Sequence, residues 1–199
     1  FWVTSNWLFA SPFLVIIVLL ADHMLNWWRQ RENTIRIMSL TDALTGINNR
    51  RSIIDMLEKE IARTHRHGPP LCTVLLDLDH FKRVNDTWGH PMGDRVLKET
   101  ASVLQKTVRQ CDAVGRYGGE EFMLLLPDTT LQGAEALVER CRARLASMEI
   151  TSDSGERIPI SGSFGMVCNQ YFLAASTEAL IKEADDALYQ AKEGGRNRV

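Results

Sequence analysis

Asp77-Leu78-Asp79 closes one short apolar run, and Gly118-Gly119-Glu120-Glu121-Phe122 opens another. Residues two apart on a strand point to one face, so Asp77 and Asp79 are expected to project together. Two like charges there repel unless a cation lies between them, and hard oxygen donors suit Mg²⁺. The plainer reading of this tripeptide is acids that end the strand and cap the next helix. Glu120 and Glu121 are expected at a hairpin tip, where glycines take positive φ and leave room for a ligand near the backbone. The plainer reading there is a β-turn with solvated acids. Neither stretch is specific alone. If the two strands are sheet neighbours, up to four carboxylates surround one site, and two Mg²⁺ ions there can clamp a transferring phosphate.

The elements that must position these acids follow from hydropathy periodicity. Arg50 to about His67 carries Ile53, Ile54, Leu57 and Ile61 at helical spacing and is ended by Gly68-Pro69-Pro70. Leu71 to Asp79 reads as a buried strand, Phe81 to Thr87 as a short helix, and Gly93 to Arg109 as an amphipathic helix. Ala113 to Tyr117 and Glu121 to Leu126 stand at hairpin spacing. Leu131, Ala134, Val138, Cys141, Leu145 and Met148 alternate steps of three and four and mark another helix. Ile158 to Val167 reads as one strand, and Leu180 to Ala191 as a last helix stopped by Gly194-Gly195. Mixed hairpins and crossovers predict an α+β domain over residues 42–199, one mostly antiparallel sheet covered by helices.

Composition narrows the classes. The 199 residues are 45% apolar and 24% charged, with 23 Lys and Arg against 25 Asp and Glu. A net charge of −2 argues against a generally basic nucleic-acid coat, and no nucleic-acid partner is expected. Cys72, Cys111, Cys141 and Cys168 are far apart and form no C-x-x-C pair, so the expectation is free, buried thiols in a reduced compartment rather than a zinc site or a disulfide. The chain opens on Phe1 and reads as a fragment or processed form. Residues 1–21 carry no charge, and at about 1.5 Å per residue a helix of that length spans roughly one bilayer core. Trp27, Trp28, Arg29, Arg31 and Arg36 then follow in the order expected of a cytoplasmic membrane exit. Residues 1–21 are therefore expected as a transmembrane helix and 22–41 as a helical connector able to pair with its copy in a dimer. The alternative for the first stretch is an apolar helix of a soluble core, because Asn6, Ser11 and Pro12 dilute it.

Arg116-Tyr117-Gly118-Gly119-Glu120-Glu121-Phe122 resembles the signature of GGDEF-domain diguanylate cyclases, in the GGEEF form. Four further stretches resemble that family, in order. They are Leu40 to Arg51 (LTDALTGINNRR), Asp77 to Asp86 (DLDHFKRVND), Gly89 to Asp94 (GHPMGD) and Ala191 to Asn197 (AKEGGRN). Ile47 and Ile53 stand where the family often has Leu and Phe, core exchanges with little bearing on chemistry.

The resemblance implies condensation of two GTP into cyclic di-GMP with release of pyrophosphate, on a ferredoxin-like fold similar to the palm of nucleotidyl cyclases. It implies Mg²⁺ (or Mn²⁺) held by Asp77, the Leu78 carbonyl, Glu120 and Glu121, with Glu120 the usual candidate base and Glu121 close enough to share that claim. Asn85 and Asp94 are implied to read guanine, with Phe81 and His90 in the same pocket. Lys82, Lys192 and Arg196 are implied at the phosphates. No G-x-x-x-x-G-K-[ST] loop is present, which excludes a P-loop mechanism. Arg50 and Arg51 read equally well as surface charges. Two domains must face each other, so a homodimer is implied.

Arg109-Gln110-Cys111-Asp112 resembles the family's R-x-x-D inhibitory site, where cyclic di-GMP acts as product inhibitor; a helix-end salt bridge is the plainer reading. The localisation implied is a bacterial inner membrane with the catalytic domain in the cytoplasm. Two other functions fit less well: a non-catalytic receptor for cyclic di-GMP or GTP, and a dimerisation module without nucleotide.

Overall fold

The computed structural model describes residues 15–28, 40–68, 70–152, 154–169 and 176–199, with the side chains of 65–67 left aside. The chain divides into two compact units, Phe1–Leu40 and Thr41–Val199.

In the first unit residues 15–28 are helical. Val15 to Leu20, Met24, Leu25, Trp27 and Trp28 are exposed. Among the described residues no helix is long and apolar enough to cross a membrane. The span expected over 1–21 falls mostly on residues 1–14, which lie outside the described residues, as does the connector over 29–39. The described helix runs through Ala21 to Trp28, so no break in helix separates the expected span from the expected helical connector there.

The second unit begins with the turn 41–49 and α1 (Arg50–His67), which Gly68 ends in the left-handed region, its N–H donating to the Thr64 carbonyl. It continues through β1 (Leu71–Leu78), α2 (Phe81–Trp88), α3 (His90–Thr107), β2 (Ala113–Arg116), β3 (Glu121–Pro127) and α4 (Leu131–Ala146). Last come β4 (Ile150–Thr151), β5 (Arg157–Ile158), β6 (Gly162–Cys168) and α5 (Thr177–Glu193). Four strands form one sheet in the order β2-β3-β1-β6, every neighbouring pair antiparallel. This is the α+β architecture that the sequence predicts.

Helices cover both faces. On one, Val74, Leu76, Phe122, Leu124 and Phe164 pack against Val96, Leu97 and Leu104 of α3 and Val138 and Leu145 of α4. On the other, Leu71, Leu75, Met123 and Leu125 meet Ile53 and Leu57 of α1 and Leu180, Ala184 and Leu188 of α5. Burial on both faces is why β1 and β3 read as continuous apolar runs rather than alternating ones.

Three expectations are corrected. The strand expected over Ile158–Val167 is split: β5 pairs with β4 in a separate two-stranded sheet, and β6 begins at Gly162. Pro159, without an N–H to offer a ladder, stands at the break. Helix α3 starts at His90 rather than Gly93, because Gly89 takes a φ of 81° and Pro91 fits the first turn. Cys72 and Cys168 form a disulfide instead of free thiols. They are opposed in the β1–β6 register, so a separation of 96 residues in sequence becomes a direct cross-strand contact.

Gly165 of β6 lets α5 lie directly on the sheet. A Cβ there runs into the Ala184 carbonyl and the Leu188 backbone. Gly165→Ala is expected to cost about 1–3 kcal/mol, as overpacking does. A lowered urea midpoint at constant slope checks this; an unchanged midpoint contradicts the close approach.

Candidate active site

β1 and β3 are sheet neighbours, and their register sets Asp77 opposite Glu121. The Leu78 N–H donates to the Glu120 carbonyl at 3.3 Å, while the Glu121 carbonyl turns away and accepts from Tyr117 N–H at 2.8 Å. Asp77 and Glu121 are thus a non-hydrogen-bonded pair, the kind whose side chains stand closest. Both lie on the sheet face covered by α1 and α5. The Leu78 carbonyl shares the side of its own N–H and so faces the hairpin tip.

Lys192, in the last turn of α5, sets its Nζ 2.9 Å from Asp77 Oδ2. Burial pushes the Glu121 carboxyl above its ordinary pKa. The Asp77 charge pushes the same way, Lys192 opposes, and Asp185 and Glu120 add to the rise. Among the described residues no three His, Cys, Asp or Glu side chains converge closely enough to hold one ion. Asp77, Glu121 and the Leu78 carbonyl are hard oxygen donors of the type a divalent cation takes, and Glu120 is not gathered with them into a three-carboxylate cluster. Two opposed carboxylates strain each other, a carbonyl faces the same tip, and one carboxylate has already drawn in an ammonium.

The tip is held by its surroundings. Neither Gly118 nor Gly119 has positive φ, which corrects the expectation from sequence. A Cβ on Gly118 meets the free end of the Glu121 side chain, so a larger residue there displaces that carboxylate. Arg116 Nε and Nη2 donate to the Gly119 carbonyl at 3.1 and 2.8 Å, and its Nη1 reaches both Asp42 oxygens at 3.2 Å. Asn48 Nδ2 donates to the Val114 carbonyl and its own carbonyl accepts from Arg116 N–H. Arg50, read from sequence as a surface charge, lies 4.7 Å over the Tyr117 ring. Asp42, Asn48 and Arg50 thus brace the β2–β3 hairpin. Burial alone raises the Asp42 pKa, but hydrogen bonds from the Thr45 hydroxyl and amide and from Arg116 outweigh it and hold the carboxyl below its ordinary value.

Asp79 does not project with Asp77. The strand ends at Leu78, and His80 turns the chain with a φ of 57°. Asp79 accepts from Ser161 Oγ and Ser163 Oγ at 2.7 Å each and from Asn197 N–H at 3.0 Å. This ties the C-terminal tail to the β1–α2 turn, and sets Arg196 beside the start of α2. Sequence reasoning missed this role, because its partners lie 82 to 118 residues away.

The proposed base-reading residues gather where α2 meets α3. A Cβ on Gly93 runs into Asn85 and touches Phe81, so the two helices are in contact there. Phe81 is buried and Asn85 half-buried, while His90 and Asp94 are exposed on the first turns of α3 and Lys82 is exposed on α2. Arg109 and Asp112 lie before β2, at the opposite end of that strand from the tip. Asp112 Oδ2 accepts from Arg109 N–H at 2.7 Å, so here the acid closes its own turn.

The depressed Asp42 pKa gives a signed prediction. Its contribution to stability is complete above the unfolded carboxyl value and is lost as pH falls through the folded value. Asp42→Asn is expected to cost about 1–2 kcal/mol at pH 7, after allowance for partial exposure, and little near pH 3. Urea unfolding at both pH values checks it; equal losses at both contradict the charged contact.

The family described as "Diguanylate cyclase, GGDEF domain" matches residues 39–198. The chain is 46% identical over 164 residues to diguanylate cyclase DgcP of Pseudomonas aeruginosa, covering 82% of this chain and 24% of that protein. It is 37% identical to the probable diguanylate cyclase DgcT of Escherichia coli, covering all of this chain and 42% of that one. It therefore spans less than half the length of each of these relatives. The crystal structure of the coiled coil and GGDEF domain of DgcB from Caulobacter crescentus, in complex with c-di-GMP, superposes with a TM-score of 0.85 at 34% identity. That match covers 92% of this chain and 97% of the other. With a signature spanning its whole second unit and a backbone to match, this chain belongs to the diguanylate cyclase GGDEF-domain family.

Proposed function

We propose that this protein condenses two GTP molecules into cyclic di-GMP, with a divalent cation at Asp77, the Leu78 carbonyl, Glu120 and Glu121. The observation that carries this is the opposition of Asp77 and Glu121 across β1 and β3. When bound, Mg²⁺ supplies positive charge against the phosphate oxygens as negative charge develops there. The 3′-oxygen of one nucleotide attacks the α-phosphorus of the other. A P–O3′ bond forms, the α–β anhydride breaks and pyrophosphate leaves; the reciprocal attack then closes the ring, so that two such bonds form and two pyrophosphates are released. A carboxylate of the tip, Glu120 or Glu121, takes the 3′-hydroxyl proton.

Asn85 and Asp94 select guanine. Asp94 accepts from the ring N1–H and the exocyclic amine, a pattern adenine lacks. Phe81 and His90 wall the base pocket. Lys82, Lys192 and Arg196 bring charge to the triphosphate, beside the N-terminus of α2.

Each domain holds one nucleotide, so two copies must meet face to face, and the twofold product requires a symmetric encounter. Cyclic di-GMP also binds at Arg109 and Asp112: the guanidinium stacks on guanine and pairs with phosphate, and the carboxylate accepts from the guanine edge. Placement at a membrane, with the domain on the cytoplasmic side, rests on uncharged residues 1–21 followed by Trp27, Trp28 and Arg29. The receptor alternative is disfavoured because Asp77, Glu120 and Glu121 are all present.

Incubation of the protein, held as a dimer, with GTP and Mg²⁺ is expected to yield cyclic di-GMP and pyrophosphate. Glu121→Ala is expected to lower product by about a thousandfold or more while unfolding stays cooperative. Binding without turnover in the native chain returns the receptor reading. Arg109→Ala is expected to maintain synthesis as product accumulates; unchanged inhibition removes Arg109 from that site.

A further inference from the structure

Lys192 stands apart from the other phosphate-binding candidates. Lys82 and Arg196 are exposed. Lys192 is instead paired with the acid expected to ligate the metal, at 2.9 Å. Among the described residues this is the one ion pair that reaches Asp77, Glu120 or Glu121. Asp77 is the enclosed partner, its side chain 14% exposed, while Lys192 keeps 33% of its side chain open. The ammonium is therefore the member of the pair free to leave. An ammonium at hydrogen-bond distance occupies an Asp77 oxygen that a metal ion must take. A monovalent and a divalent cation cannot share that position without strong repulsion.

We propose that Lys192 is a tethered counter-ion that makes cation binding conditional on nucleotide. Before substrate arrives, its ammonium neutralises Asp77 and relieves the strain between Asp77 and Glu121. A divalent ion entering alone must expel it into solvent, with nothing negative to receive it. An ion arriving with a triphosphate expels it toward the phosphate oxygens, so the lost ion pair is replaced rather than forfeited. Cation and triphosphate then bind synergistically, and by linkage each tightens the other by the same factor. The flexible four-carbon stem suits this exchange between two anionic partners. The inference rests on the metal-site reading above and adds the competition within it.

The probe is Mn²⁺, its free fraction read by electron paramagnetic resonance, with and without α,β-methylene GTP, which cannot release pyrophosphate. Lys192→Met and Lys192→Gln are both expected to bind Mn²⁺ alone about fivefold or more tighter than the native chain. Both are expected to bind the analogue with Mn²⁺ more weakly than the native chain. Lys192→Arg, which keeps the charge, is expected to bind Mn²⁺ alone as weakly as the native protein. A lysine needed only for structure weakens both kinds of binding when removed, and that result overturns the proposal. Unchanged Mn²⁺ affinity in both neutral variants also overturns it, while the metal site stands if Asp77→Asn still abolishes Mn²⁺ binding. Mn²⁺ binding that is indifferent to Asp77→Asn overturns the metal site itself and the proposal with it.

Discussion

Two carboxylates held face to face without a backbone hydrogen bond between them are the constraint on which this domain turns. Left alone, Asp77 and Glu121 repel, and burial makes the repulsion more costly. The fold tolerates the pair by bringing a cation to it from a distant part of the chain. Lys192 arrives on α5, which lies flat on the sheet only because Gly165 presents no side chain. The same register that builds the core on either side of β1 thus creates the electrostatic strain at its end. A one-residue slip turns Asp77 away from α5 and into the opposite core.

Around that pair the supporting contacts divide into two braces. One is the Asp42–Arg116–Gly119 chain, which fixes the hairpin tip from the front of the domain. The other is Asp79, which gathers two serine hydroxyls and the tail amide of Asn197, fixing the turn after β1 from the back. Neither brace touches Asp77 or Glu121. Each holds a backbone segment from which a reactive side chain projects, so the site's geometry is inherited from polar contacts several residues away.

This division explains what could be read in advance. The helices, the buried strands and the hairpin follow from local periodicity, which needs no knowledge of distant partners. The neighbouring of β1 and β3 was a condition rather than a deduction, because nothing in either segment names its partner. Asp79 was expected beside Asp77 because the two-residue period was extended one step beyond the end of the strand. The sequence makes positive φ natural for the glycines of the tip, yet neither adopts it, and a Cβ on Gly118 meets the Glu121 carboxylate instead. Cys72 and Cys168 were read as separate thiols because their opposition exists only after β6 has paired with β1. The cysteine pair and the β1–β3 neighbouring are long-range and are resolved by strand register, whereas Asp79 and the tip glycines turn on local backbone geometry.

The Arg116 guanidinium has a mechanical consequence. It grips Asp42 with one nitrogen and the Gly119 carbonyl with two others. The first residues of the domain and the apex of the hairpin are thereby fastened into one stiff lever. Loss of that one side chain unfastens both ends at once, because no second residue of this brace spans Asp42 and Gly119.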